Sequence, residues 1–290
     1  MIMPSMLRRV LYWGGSGLAL IGIVFVGFRL HTYWLELDFT LIPPRIWLFI
    51  AALALVYGSA NFLLASAWWN LLEHLGAAAT RLESIKIYGV SQLAKYAPGN
   101  IFHLAGRQAL GMASGISGGI LAKSTLWELG SIAVAGALFA WLVLPLLFPG
   151  FSVAGSAVLL LGSLSILGGL LYRFSGCRPA RAFIWQFLFL SASGAAFAAL
   201  LYLIAGGNGL ETGQWLMIGS AYIVAWLAGL VTPGAPAGVG VREMILLLLL
   251  NGLTVEANLL LAVVLGRVVT VFGDLLFFAV TAAIPARLCR

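Results

Sequence analysis

The chain alternates long apolar runs with short polar breaks. A membrane-crossing helix needs about 20 mostly apolar residues. Six runs meet that requirement: 10–28, 46–67, 116–145, 151–172, 183–205 and 256–283. Two further stretches are apolar but interrupted, 84–113 at "APGN" (97–100) and 215–252 at "TPGAPAGVG" (232–240). Proline removes a backbone donor and clashes with the preceding turn. Glycine lowers helix stability and permits unusual backbone angles. Each interrupted stretch is therefore predicted to form two half-helices around a bend. The expected fold is an all-α polytopic membrane protein, with about six full spans plus two re-entrant broken-helix hairpins. It forms a single membrane domain over residues 1–290.

Composition agrees with that pattern. Of 290 residues, 62% are hydrophobic and 9% charged, against about 45–50% and about 25% in a soluble domain. The mean hydropathy is +1.06. Ten Trp and eight Tyr suit interfacial belts. No long polar segment is present, so no soluble catalytic domain is expected. The segment "MIMPSMLRRVLYWGGSG" places arginines before an apolar run, as a signal peptide does, but no small-x-small cleavage site follows. It reads as a retained first span anchored by Arg8 and Arg9.

The net charge is +7. The basic residues are scattered between apolar blocks and form no polar basic face, which argues against nucleic acid as a partner. They read as topology signals and contacts to anionic lipid. The loop "YRFSGCRPARAF" (172–183) holds Arg173, Arg178 and Arg181 and no acid, so it is expected to be cytoplasmic, with Cys177 in it. The C-terminus, with Arg287, Cys289 and Arg290, is basic as well. The linker 29–45 carries Glu36 and Asp38 besides basic residues. Linkers 147–151 and 206–214 lack Lys and Arg and read as external. With both termini cytoplasmic, these signs agree if each broken stretch returns to the side it entered from.

A shift of about 135 residues then superposes the blocks. It lays 10–28 on 151–172, 46–67 on 183–205 and 116–145 on 256–283. It also lays "PGNIFHLAGR" (98–107) over "PGAPAGVGVR" (233–242), so that Pro98 meets Pro233, Gly99 meets Gly234 and Arg107 meets Arg242. Three spans and one hairpin in each half make the second half inverted. The predicted repeats cover about 8–147 and about 150–285. Inverted repeats whose interrupted helices meet near the midplane are a transporter architecture.

Charge at membrane depth costs roughly 2.5–3.5 kcal/mol on insertion scales and marks function or pairing. The candidates are Arg107, Glu128, Arg242, Glu243 and Arg267, with Lys95 and Asp274 nearer the ends. Non-helical backbone at depth must be buried in protein or line a wet cavity. The loops hold Pro98, Gly99 and Asn100, and Pro233, Gly234, Gly238 and Gly240. Arg242 opens the half-helix after the second loop, where free N–H groups and the dipole favour an anion. An arginine there suits phosphate, which it grips with two parallel bonds. Arg107 offers the same from the other hairpin, and Arg267 from the middle of the last span. Structural readings stand beside these. Arg267 and Asp274 could neutralise each other. Glu243 could pair with Arg107 or Arg267, or contact substrate or a proton, as could Glu128. Lys95 and Asp274 read as interfacial or structural, and His103 as a packed polar residue.

Enzyme signatures are thin. No Ser-His-Asp set, HExxH motif or metal-carboxylate cluster is present, and His31, His74 and His103 show no metal-ligand spacing. Neither a cofactor nor a metal is expected.

"KYAPGN" (95–100) with an arginine after it, "TPGAPAGVGVRE" (232–243) and an arginine in the last span resemble one integral-membrane family. It is typified by the lysylphosphatidylglycerol synthase transmembrane (flippase) domain, and the chain is similar to its stand-alone members. The hallmark of that family resembles "PGGxGxRE" after an earlier "Y-x-PG"; here Ala235-Pro236-Ala237 replaces the tighter glycine junction. The resemblance covers most of the chain in layout and some 25 residues in motif. It carries over onto Pro98, Gly99, Pro233, Gly234, Gly238, Gly240, Arg242 and Glu243. It implies a bacterial inner-membrane protein that moves lipids between leaflets, without the aminoacylation performed by a separate soluble domain in two-domain relatives. The expected partners are membrane lipids with an anionic head group. A membrane accessory subunit of a glycosyltransferase or lipid-modifying enzyme is the alternative, and self-association is open.

Overall fold

The computed structural model describes residues 44–97, 101–148, 150–206, 212–232 and 240–285, together with Met6, Val10 and Trp13. The expected first span at 10–28 therefore falls almost wholly outside the described residues. So do Pro98, Gly99, Asn100, Pro233, Gly234, Gly238 and both termini.

All regular structure among the described residues is helical. The order is α1 (Pro44–His74), α2 (Arg81–Gln92), a 3₁₀ turn (Leu93–Tyr96), α3 (Phe102–Ala113), α4 (Gly118–Leu138) and α5 (Ala140–Leu147). Then follow α6 (Val153–Ser175), α7 (Cys177–Ile204), α8 (Thr212–Val231), α9 (Val241–Leu249) and α10 (Glu256–Ala282). The starts of α2, α4 and α6 are capped by Thr80, Ser117 and Ser152, whose hydroxyls accept from the backbone N–H three residues on. Gly176, at φ 87°, makes the tight turn between α6 and α7.

Six helical segments are long and apolar enough to cross a membrane: 46–74, 118–147 (α4 with α5), 153–175, 177–204, 213–230 and 256–282. The chain is thus an integral membrane protein by length and composition of its helices. Five of the six coincide with runs read from the sequence. The sixth, 213–230, is the first arm of the second interrupted stretch; it is by itself long enough to cross, and its helix ends at Val231, where the sequence placed the break.

α1, α7 and α10 form the centre, with α1 packed most heavily on α7 and on α10. The apolar window of α10 is 61% buried, whereas that of α6 is only 11% buried. α6 therefore lies at the rim, with its apolar side chains facing outward. Close helix approach rests on small residues, the usual device where lipid competes with protein for apolar contact. A Cβ on Gly194 of α7 would lie 2.7 Å from the carbonyl oxygen of Gly219 in α8. One on Gly58 of α1 would lie 2.9 Å from that of Gly273 in α10. Gly194→Ala should force α7 and α8 apart and lower stability by about 1–3 kcal/mol. Thermal unfolding in detergent reads this, and an unchanged midpoint would show that the contact is not tight.

One end of the bundle is polar. Glu73 at the end of α1 pairs with Arg178 at the start of α7. The Trp69 ring lies 5.2 Å from the Arg178 guanidinium and 5.8 Å from that of Arg81. Lys86 Nζ donates to the Ile284 carbonyl at 2.6 Å, bringing the end of α10 to the same place.

Candidate functional site

The last residues of α2, the 3₁₀ turn and α3 converge with the end of α8 and the start of α9 on one cavity of about 120 Å³. Described residues on both sides of each helix break thus border the same space. By the volume one water occupies on this measure, roughly 10–15 Å³, there is room for a phosphate-sized group with some water. Its lining includes Tyr57, Gln92, Lys95, His103, Arg107, Glu128, Trp226, Arg242 and Arg267. Four cations facing one cavity in an otherwise apolar helical body is the feature that needs a physical reason.

Three of the four are matched by acids. Arg107, at 2% exposure, pairs with Glu128 of α4. Its guanidinium lies 3.8 Å from the Tyr88 ring centroid and 5.4 Å from that of Trp68. Tyr88 in turn donates to the other Glu128 oxygen at 2.9 Å, so α2, α3 and α4 meet in one bonded cluster. Gln186 of α7 reaches the Glu128 carbonyl at 3.2 Å and accepts from the Ser131 hydroxyl at 2.6 Å, which fixes α4 laterally.

Arg267 of α10 is held by Glu243 of α9: its Nη2 and Nε donate to Glu243 Oε1 at 2.7 and 3.1 Å. The other Glu243 oxygen accepts the Gly240 N–H at 2.6 Å, capping α9 at a glycine with φ 87°. Of the partners open for Glu243 in the sequence, the structure has Arg267, not Arg107.

Asp274 does not neutralise Arg267 on its own helix. It is fully buried and accepts from Lys95 Nζ at 2.7 Å, Tyr96 Oη at 2.5 Å and Asn61 Nδ2 at 3.3 Å. Lys95 faces the cavity, so of the two readings open for this pair, interfacial or structural, the buried structural one holds. The reason is topological. The 3₁₀ turn carries Lys95 inward just before the break, against α10.

Arg242 is different. It is 6% exposed and lines the cavity. Its guanidinium stacks 4.0 Å from the Tyr222 ring centroid. Among the described residues it makes no ion pair. A buried cation without an acid is costly unless an anion joins it. His103 also borders the cavity, and its Nδ1 finds no hydrogen-bond partner among the described residues.

The structure therefore brings Arg107, Glu128, Arg242, Glu243 and Arg267 around one cavity, as cavity-lining groups or as direct partners of them. Sequence reading missed Tyr57, Tyr88, Tyr96, Tyr222, Asn61 and Gln92. One signal was available: Tyr88 and Tyr222 precede Arg107 and Arg242 by nearly equal intervals, each on the first arm of its broken stretch. No group of three or more metal-ligating side chains is found among the described residues. Comparison with protein-family models, curated proteins and solved structures gives no match to this chain. The family likeness rests on the motifs at 95–100 and 232–243.

Proposed function

We propose that the chain is a lipid translocase that moves an anionic, phosphate-bearing lipid between leaflets by alternating access. The observation that carries this reading is Arg242, a cation that pairs with no acid among the described residues, in a cavity lined by residues flanking both breaks. A phosphate supplies the missing charge and takes two parallel bonds from the guanidinium. The tails of a phospholipid or polyprenyl-linked lipid stay in the bilayer.

Chain directions favour two re-entrant hairpins. The end of α1 and the starts of α2 and α7 share the polar end of the bundle with the end of α10. α7 runs from there to the far end, where α8 starts and where α10 must also start. The segment between them therefore returns to its side of entry. Its arms are unequal: the nine residues of α9 rise only about 14 Å, half a bilayer core or less, whereas the twenty of α8 rise about 30 Å, enough to cross it. By the same reasoning α6 ends at the polar end, so α4 with α5 leaves it, and α2 with α3 returns to it. The hairpins then enter from opposite faces, as inverted repeats require. The equivalent stacks of Arg107 on Tyr88 and Arg242 on Tyr222 fit the same pseudo-symmetry. In this reading the Arg107–Glu128 and Arg267–Glu243 pairs latch each half-helix to the following span, and rocking of the halves opens the site to each leaflet in turn.

The functional test is reconstitution. Vesicles carrying the purified chain should expose fluorescent phosphatidylglycerol from the inner leaflet to an external quencher faster than empty vesicles; equal rates would end the translocase reading. The orientation, in a bacterial inner membrane with cytoplasmic termini, has its own test. Cys177 is an exposed free thiol. On a Cys289→Ser background, a membrane-impermeant thiol reagent should leave intact cells unlabelled and react only after permeabilisation. Labelling from outside would overturn the assigned orientation.

A further inference from the structure

The charges around the cavity can be balanced. Lys95, Arg107, Arg242 and Arg267 face it, and Glu128, Asp274 and Glu243 each bind one of the first, second and fourth of these cations. With His103 neutral, the described residues leave one positive charge, on Arg242. A second feature points to a ligand. Tyr57 lines the cavity at 6% exposure, and its hydroxyl makes no hydrogen bond among the described residues. Every other ionisable or phenolic group on the lining except His103 is already in an ion pair, a hydrogen bond or, for Arg242, a ring stack.

Resting on the translocase reading, we infer that the cavity selects a head group carrying a single negative charge, a phosphodiester, held by the Arg242 guanidinium and the Tyr57 hydroxyl. A phosphodiester carries one charge and offers two non-bridging oxygens, one for each donor. It brings the site to neutrality. A phosphomonoester, near −2 at pH 8, leaves an uncompensated negative charge beside Glu128 in a largely apolar surround, and that mismatch is what discriminates. A zwitterionic lipid leaves Arg242 no better matched than before.

The test is displacement of labelled phosphatidylglycerol from the detergent-solubilised full chain at pH 8. Phosphatidylglycerol should compete about tenfold more tightly than phosphatidic acid, a difference of one unpaired charge in a partly wet site. Phosphatidylcholine should compete more weakly than phosphatidylglycerol. Tyr57→Phe should weaken phosphatidylglycerol by about threefold to tenfold, the range for one hydrogen bond. Glu128→Gln adds a positive charge and should narrow or reverse the preference over phosphatidic acid. Gln92→Glu removes the net charge and should weaken phosphatidylglycerol, which keeps the idea testable if Glu128→Gln fails to fold. Phosphatidic acid binding as tightly as phosphatidylglycerol to the unmodified chain would overturn the single-charge inference and leave the translocase reading standing. Binding of every lipid indifferent to Arg242→Ala would overturn both. Displacement by water-soluble glycerophosphoglycerol at the lipid's own affinity would overturn the lipid assignment.

Discussion

Arg242→Ala is expected to slow lipid translocation about 100-fold, the loss of two charge-assisted hydrogen bonds to phosphate at about 1.5 kcal/mol each. The protein should remain folded, because Arg242 makes no ion pair among the described residues and removing it relieves a buried charge. Arg242→Lys should fall between the two: the charge stays, but the planar stack on Tyr222 and the two-bonded grip are lost. Arg107→Ala should also reduce transport, and with it stability, since Glu128 would be left buried without its cation. Separating the two arginines in this way distinguishes a ligand-binding cation from a latch. Unaltered transport in Arg242→Ala, at an unaltered protein level, would remove the phosphate site from the account.

The second large effect is on folding. Asp274→Ala is expected to destabilise the chain by about 3–5 kcal/mol, the range for breaking a buried pair by removing one partner. Asp274 is fully buried and accepts from Lys95, Tyr96 and Asn61, so its loss strands a cation, a hydroxyl and an amide together. Gln92 adds a fourth member through Asn61, at 3.4 Å. The network joins α1, α2, the 3₁₀ turn and α10. Lys95→Met with Asp274→Leu should recover much of the loss, because an apolar pair needs no partner. Thermal unfolding in detergent measures both. If Asp274→Ala melts within a degree or two of the unmodified chain, the network is not what seats the first broken stretch.

Hydropathy made most of the fold legible. Apolar runs of spanning length announce themselves, and five described spans lie where the sequence put them. The breaks were legible too, because proline and glycine punctuate helices whatever surrounds them. Pairings were not. Arg267 and Asp274 share a helix face at a spacing of seven residues, which invited a pair between them. Each is instead claimed by another element, Glu243 of α9 and Lys95 of the 3₁₀ turn. Spacing along one helix fixes which side chains are neighbours there, but not which neighbouring helix supplies a closer partner. Tyrosines escaped for a related reason. An aromatic ring in an apolar run reads as core packing, and only the arginine stacked on it reveals another role. The helix before the second break ends at Val231, where the proline- and glycine-rich run begins in the sequence.

The most direct measurement is an experimental structure of the full chain in lipid nanodiscs containing phosphatidylglycerol. Head-group density is expected inside the cavity lined by Tyr57, Arg107, Arg242 and Arg267. The phosphate should lie within hydrogen-bond distance of the Arg242 guanidinium, with the tails passing outward between helices. A cavity in which Arg242 is instead paired with a carboxylate of the chain, with lipid only around the outer surface, would contradict this expectation.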